Sequence, residues 1–163
     1  MLAVVDTPPA LHVAQPRGIQ SVLVAFDGSP GAWIALARAI DIAVGQHARL
    51  VVAGVVREPS LWFSIGGAVT PFSRESLIRD LEREMQQTLA AARDEIPATV
   101  SVTTHLLHGR PAVALAALAD AAGSGLIVVG HRRLGRVRRR LSRSVTRGLL
   151  ATADASVLAV NEP

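Results

Sequence analysis

The chain has 163 residues, enough for one domain with a substantial core; half are apolar but only 3% are aromatic, so Ala, Val, Leu and Ile must fill that core. It has no cysteine, which excludes disulfides, a thiolate nucleophile and cysteine-ligated zinc. All seventeen basic residues are arginine, and with thirteen acids the net charge is +4.

That charge is unevenly placed. Eight arginines (Arg132, Arg133, Arg136, Arg138, Arg139, Arg140, Arg143 and Arg147) fall in a stretch without an acid, and the remaining nine face thirteen acids, a balance of −4. The pattern is that of a mildly acidic domain with one cationic loop, which favours a local anion partner over general polyanion binding. The N-terminus has no basic leader region, and its first apolar run stops at Asp6. No apolar stretch approaches the roughly 20 residues of a membrane helix. A cytoplasmic protein without a membrane span is expected.

Residues 1–18, with Pro8, Pro9, Pro16 and Gly18 and no periodicity, read as a flexible arm before a domain at 19–163. SVLVAF (21–26) is a short β-branched run and reads as a buried strand. Asp27-Gly28-Ser29-Pro30 ends it and opens a helix, with Ser29 as N-cap and Pro30 at the first helical position. Trp33, Ala37, Ile40 and Val44 share one face of that helix and are its expected apolar side. Arg49 to Val56 is a second strand. Residues 57–72 form a loop with Pro59, Gly66, Gly67 and Pro71, in which Trp62 and Phe63 make an apolar spot.

The next helix is expected to start at Ser73 as N-cap, with Phe72 and Leu77 at hydrophobic-staple spacing. Leu77, Leu81, Met85, Leu89, Ala92 and Ile96 continue its apolar face, while Glu82 and Glu84 read as its solvated side. Thr99 to Leu107 alternates and reads as a more exposed strand. Pro111 opens an Ala-rich helix that stops at Gly123-Ser124-Gly125. Leu126 to Val129 is the fourth strand, a helix runs from about Ser144 to Ala153, and Ser156 to Val160 is the fifth strand. The alternation predicts an α/β fold, a parallel sheet with helices on both faces.

In open parallel sheets, ligands bind beyond the strand C-termini where strand order reverses. Asp27, Val55 and Gly130 end strands 1, 2 and 4, and a helix N-terminus at Ser144 would supply N–H groups to a phosphate. Asp27 has two readings, a ribose-hydroxyl acceptor or a turn residue that helps cap the first helix. His105 and His108, three apart near a strand end, point to opposite faces and make no two-ligand metal site. No nucleophile elbow, zinc-protease or Walker A motif is present. The arginine loop has no interleaved aromatic residue for base stacking, so nucleic-acid binding is not expected.

SVLVAFDGSP, LLHGRPA and VVG…SV…SVLAV, spaced around five strands, resemble the universal stress protein family over residues 19–161. The resemblance implies an adenine-nucleotide α-hydrolase-like fold: a five-stranded parallel sheet of order 3-2-1-4-5, with Asp27 and Gly130 across one crevice. It implies dimerisation through the last strand (157–160). It implies Asp27 at the nucleotide ribose and Val55 and Val129 along the adenine. ATP-binding members carry Gly, two residues, Gly, nine residues, Gly and Ser or Thr after strand 4. Here Gly130 keeps the first position, Arg133 and Arg143 stand at the second and third, and Ser144 and Val145 follow.

Glycine in such a loop permits φ > 0 and close backbone approach to phosphate, and arginine does neither. Arginine does bring N–H donors that suit phosphate oxygens. Three outcomes stay open: no nucleotide, ATP held by guanidinium instead of backbone, or a different anion. The expectation is a stress-response regulator that binds ATP weakly or not at all. The alternatives are a dimeric protein-interaction module without a nucleotide, and an ATP-binding member or slow ATP hydrolase, for which no residue is an evident base.

Overall fold

Nine elements alternate along the chain: β1 (Ser21–Ala25), α1 (Pro30–Gln46), β2 (Arg49–Val56), α2 (Pro71–Asp94), β3 (Val102–His108), α3 (Pro111–Ala121), β4 (Leu126–His131), α4 (Arg139–Thr152) and β5 (Ser156–Asn161). The computed structural model describes residues 18–57, 71–131 and 139–161, and only the backbone at 71–74, 131 and 139–144. The expected N-terminal arm up to residue 17, the Trp62–Phe63 segment and Arg133 lie outside the described residues.

The strands form one parallel sheet of order β3-β2-β1-β4-β5, as the resemblance implied. The central strands are apolar almost throughout because helices cover both faces. Val22, Leu23 and Val24 of β1 and Ile127 and Val128 of β4 are fully buried. β3 and β5 lie at the edges and are only partly buried, which explains the alternation at 99–107. β4 runs two residues past the predicted end, through Gly130 paired with Val160 and His131 paired with Asn161.

Two apolar layers flank the sheet. Val22, Val24, Leu50, Val52, Leu126 and Val128 meet α1 and α2 on one side. Leu23, Val51, Ile127 and Val129 meet α3 and α4, through Leu115, Ala119 and Leu149, on the other.

Helix α1 buries a different face from the one its large residues predict. Gly31, Ala32, Ala35, Leu36, Ala39 and Ala43 face the sheet, whereas Trp33 and Val44 are 36% and 52% exposed. Small residues let the helix axis approach the strands, and that close packing outweighs the size of individual side chains. A Cβ on Gly130 would collide with the backbone carbonyl of Gly31, so β4 and α1 touch backbone to backbone there. Trp33 still packs its ring edge-on to Phe26, with centroids 4.8 Å apart.

Helix α2 is already helical at Pro71, so Ser73 lies inside it rather than at its cap. Its apolar face is buried only in the C-terminal half, at Leu89, Ala92 and, beyond the helix, Ile96; Leu77 is 45% exposed. Glu82 does not belong to the solvated side with Glu84. It is partly buried, and its Oε1 lies 3.4 Å from Nε2 of His108 at the end of β3.

Candidate functional site

A cleft opens beyond the C-terminal ends of β1, β2 and β4, where the strand order reverses. Its volume is about 160 Å³. A single water occupies roughly 10–15 Å³ by this measure, so the space exceeds a structural water site. Asp27, Val55, Val129, Gly130 and Val145, all singled out from sequence, line it together.

The β1 side is fixed by turn chemistry. Gly28 adopts φ 73°, a left-handed conformation that favours glycine, and a Cβ there would come within 2.9 Å of Thr88 Cγ2 on α2. Ser29 N donates to Asp27 Oδ1 at 3.0 Å, an Asx-turn. Ser29 Oγ accepts from Ala32 N at 3.2 Å, the expected N-cap, and Pro30 opens the helix. Both readings of Asp27 are therefore compatible. The residue shapes the turn and also borders the cleft.

Val55, near the end of β2, and Val129, on β4, supply the apolar walls, together with Ala25, Ala53 and Leu115. Gly109, at φ 98°, lets the chain turn from β3 into α3, and its N–H donates to Val56 O at 3.0 Å. That turn places Pro111 at the cleft. The segment LLHGRPA thus acts through backbone geometry.

The α4 side differs from expectation. The predicted helix start at Ser144 is corrected, because α4 runs from Arg139 to Thr152. Arg143 and Ser144 lie past the first four residues, whose N–H groups a helix leaves unpaired, so the amide of Ser144 belongs to the helical ladder. Arginine is a good helix former, and 139–143 contains neither glycine nor proline to stop a helix growing toward β4. Val145 and Thr146 reach the cleft from the next turn. Gly148 lets α4 press on α3, since a Cβ there would meet Ala112 Cβ at 2.5 Å.

Arg57, Thr146, Phe26 and Pro111 line the cleft without having been singled out. For Arg57 the signal was present. Strand alternation from Val55 puts residues 53 and 57 on the same side. Among the described residues, no group of three His, Cys, Asp or Glu could hold a metal ion, and no helix is long and apolar enough to cross a membrane.

Comparison with known proteins places these features in context. The model of the universal stress protein family matches residues 18–161. A universal stress protein of Thermus aquaticus is 34% identical over 142 residues, covering 86% of this chain and 98% of that protein. A universal stress protein family structure from Burkholderia pseudomallei superposes with a TM-score of 0.68 at 28% identity, over 87% of this chain and 96% of its own. A universal stress protein solved in complex with cAMP superposes at 0.58 and 26% identity, over 89% and 98%.

Proposed function

Since the chain belongs to the universal stress protein family, we propose that it is a stress-response regulator whose cleft keeps the base and ribose end of a nucleotide site and lacks the glycine cradle for a triphosphate. The observation that carries this reading is the course of α4, which is helical from Arg139 through Arg143 and Ser144. A triphosphate cradle needs free backbone N–H groups on a loop that can turn at glycine. Arg143 stands in a helix, and the amide of Ser144 is engaged there. Val55 and Val129 form the slot for the base, Asp27 accepts from the ribose hydroxyls, and Gly130 and Val145 border the phosphate end. A family member that holds cAMP supports a cleft of this kind taking a nucleotide without a triphosphate.

Added positive charge attracts ATP but is screened by salt and makes no room for it. ATP binding is accordingly weak or absent, and the role is regulation in the cytoplasm without turnover. Calorimetry with ATP at physiological salt, on the protein and on the double variant Arg133→Gly/Arg143→Gly, tests this. Binding by the double variant alone is the expected result. Low-micromolar binding by the unmodified protein, weakened in the double variant, makes the arginines ligands and the reading wrong.

A second feature points to assembly. β5 is an edge strand with Leu158 38% exposed, and an exposed apolar edge invites pairing. A homodimer through residues 157–160 covers it and gives a protein partner a composite surface. Sedimentation of the protein and of Leu158→Pro checks this, with a dimer expected for the first and a monomer for the second.

A further inference from the structure

Helix α2 packs on the sheet face opposite Val55 and Leu115, and residues one turn apart on it reach three strands near their C-terminal ends. Glu82 meets His108 at the end of β3, Thr88 packs over Gly28 after β1, and Met85 between them packs over Gly54 of β2. A Cβ on Gly54 would collide with the sulfur of Met85 and come within 2.8 Å of its Cγ, so the thioether fills the recess that the missing side chain leaves. Ala53 and Val55, which flank Gly54, stand on the other face of β2 and line the cleft. The backbone of β2 therefore separates the sulfur from the cleft wall.

The chain has no cysteine and two methionines, Met1 and Met85, so Met85 carries the only sulfur of the described residues. It is partly buried, packed against the core that holds Val52 and Leu89, with the rest of the residue open to solvent. A small hydroperoxide reaches a thioether so placed. The sulfur lone pair attacks the terminal peroxide oxygen: an S–O bond forms, the O–O bond breaks, and the leaving oxygen takes the hydroperoxide's proton and departs as water or an alcohol. Sulfur is oxidised by two electrons and the peroxide is reduced by two. The sulfoxide is polar where the thioether was apolar. Over Gly54 it either pushes α2 away from β2 or swings out to be hydrated, and both undo the packing there.

We propose that Met85 is a reversible oxidation site, and that its sulfoxide loosens α2 from β2 and with it the strand ends that form the cleft. A hydroperoxide then acts on the cleft from the opposite face of the sheet. This role stands whether or not the cleft takes a nucleotide.

Treatment of the full-length protein with hydrogen peroxide, and then with the two methionine sulfoxide reductases, one for each epimer, decides it. Peptide mass spectrometry locates the added oxygen, while thermal unfolding and amide hydrogen exchange read its effect. The folded protein should gain oxygen on Met85, lose about 4 °C in Tm and exchange faster in α2 and at the end of β2, and the reductases should reverse all three. Met85→Leu, close in volume and without sulfur, should keep its Tm under the same peroxide even though Met1 is still present. Met85→Gln, polar at the same position, should show the lower Tm without peroxide. Oxidation of Met85 only after denaturation overturns the proposal, as does a sulfoxide that leaves Tm and exchange unchanged. Faster exchange in α2 with none in β2 defeats the link to the cleft. An equal loss of Tm in peroxide-treated Met85→Leu places the effect at another residue, and a loss that both reductases leave in place defeats reversibility. The peroxide and reductase steps on the unmodified protein decide the matter even where a variant does not fold.

Discussion

Asp27 to Pro30 and Arg139 to Val145 both bring a helix to the same cleft, yet they do so by different means. At the first, every residue has a stopping or starting role. Gly28 takes φ 73°, Asp27 Oδ1 accepts from Ser29 N, Ser29 caps and Pro30 opens the helix. At the second, the helix runs through arginines that neither cap nor break it. A helix start written in turn chemistry is fixed to the residue. One without it is set by how far helix-forming residues extend. The cleft therefore has one rigidly specified edge and one edge whose form depends on a run of arginines.

The largest expected effect comes from the strand these two regions share. Gly130→Val puts a side chain onto the Gly31 carbonyl and forces α1 off β4, at a cost of about 3 kcal/mol in urea unfolding. Gly125→Ala, where a Cβ meets nothing within 4 Å, should change stability by about 0.5 kcal/mol or less. A tolerated Gly130→Val would mean that this glycine serves the phosphate end rather than helix packing.

The rotation of α4 is tested next. Leu149 is fully buried and Leu150 is 68% exposed. Leu149→Ala should cost about 3 kcal/mol and Leu150→Ala about 0.5 kcal/mol or less. Similar costs would show that α4 does not pack as described.

The sharpest contrast lies between two serines. Ser29→Ala removes the bond to Ala32 N and should cost about 1 kcal/mol. Ser144→Ala replaces a residue inside a helix by a better helix former and should be neutral or stabilising by about 0.5 kcal/mol. Equal losses at both positions would restore Ser144 as an N-cap and reopen the phosphate site.

These contrasts also mark what could be read from sequence. The strands, their parallel arrangement and the start of α1 were legible because they rest on local signals: buried β-branched runs alternating with helices, and a capping serine before proline; the strand order came from the resemblance to the family. The cleft residues Asp27, Val55 and Gly130 followed from the strand ends, and Val129 from the resemblance. Other features were less legible, three of them instructive. The buried face of α1 is chosen by the approach of helix to sheet, which favours Gly31, Ala32, Ala35 and Ala39 over the larger Trp33 and Val44. The start of α4 was placed at Ser144 because serine is a capping residue, although the preceding arginines favour helix. Glu82 was assigned to solvent because its partner, His108, is distant in sequence and meets it only when α2 lies along β3.

The smallest expected effect separates the two roles of Asp27. The Asx-turn itself needs only an acceptor oxygen for Ser29 N, and asparagine also offers one. Asp27→Asn gives up the favourable placement of a negative charge near the start of α1, about 0.3 kcal/mol at this exposure. Asp27→Ala removes the acceptor as well and should cost about 1 kcal/mol. Thermal unfolding of the three proteins should therefore rank Asp and Asn together, with Ala lower. The ligand role depends on charge as well as geometry, because a hydrogen bond to a carboxylate is roughly twice as strong as one to a neutral oxygen. Asp27→Asn should thus narrow the preference for a ribonucleotide over its deoxy counterpart while stability barely moves. If stability falls by about 1 kcal/mol or more and the sugar preference is unchanged, the carboxylate serves the turn alone.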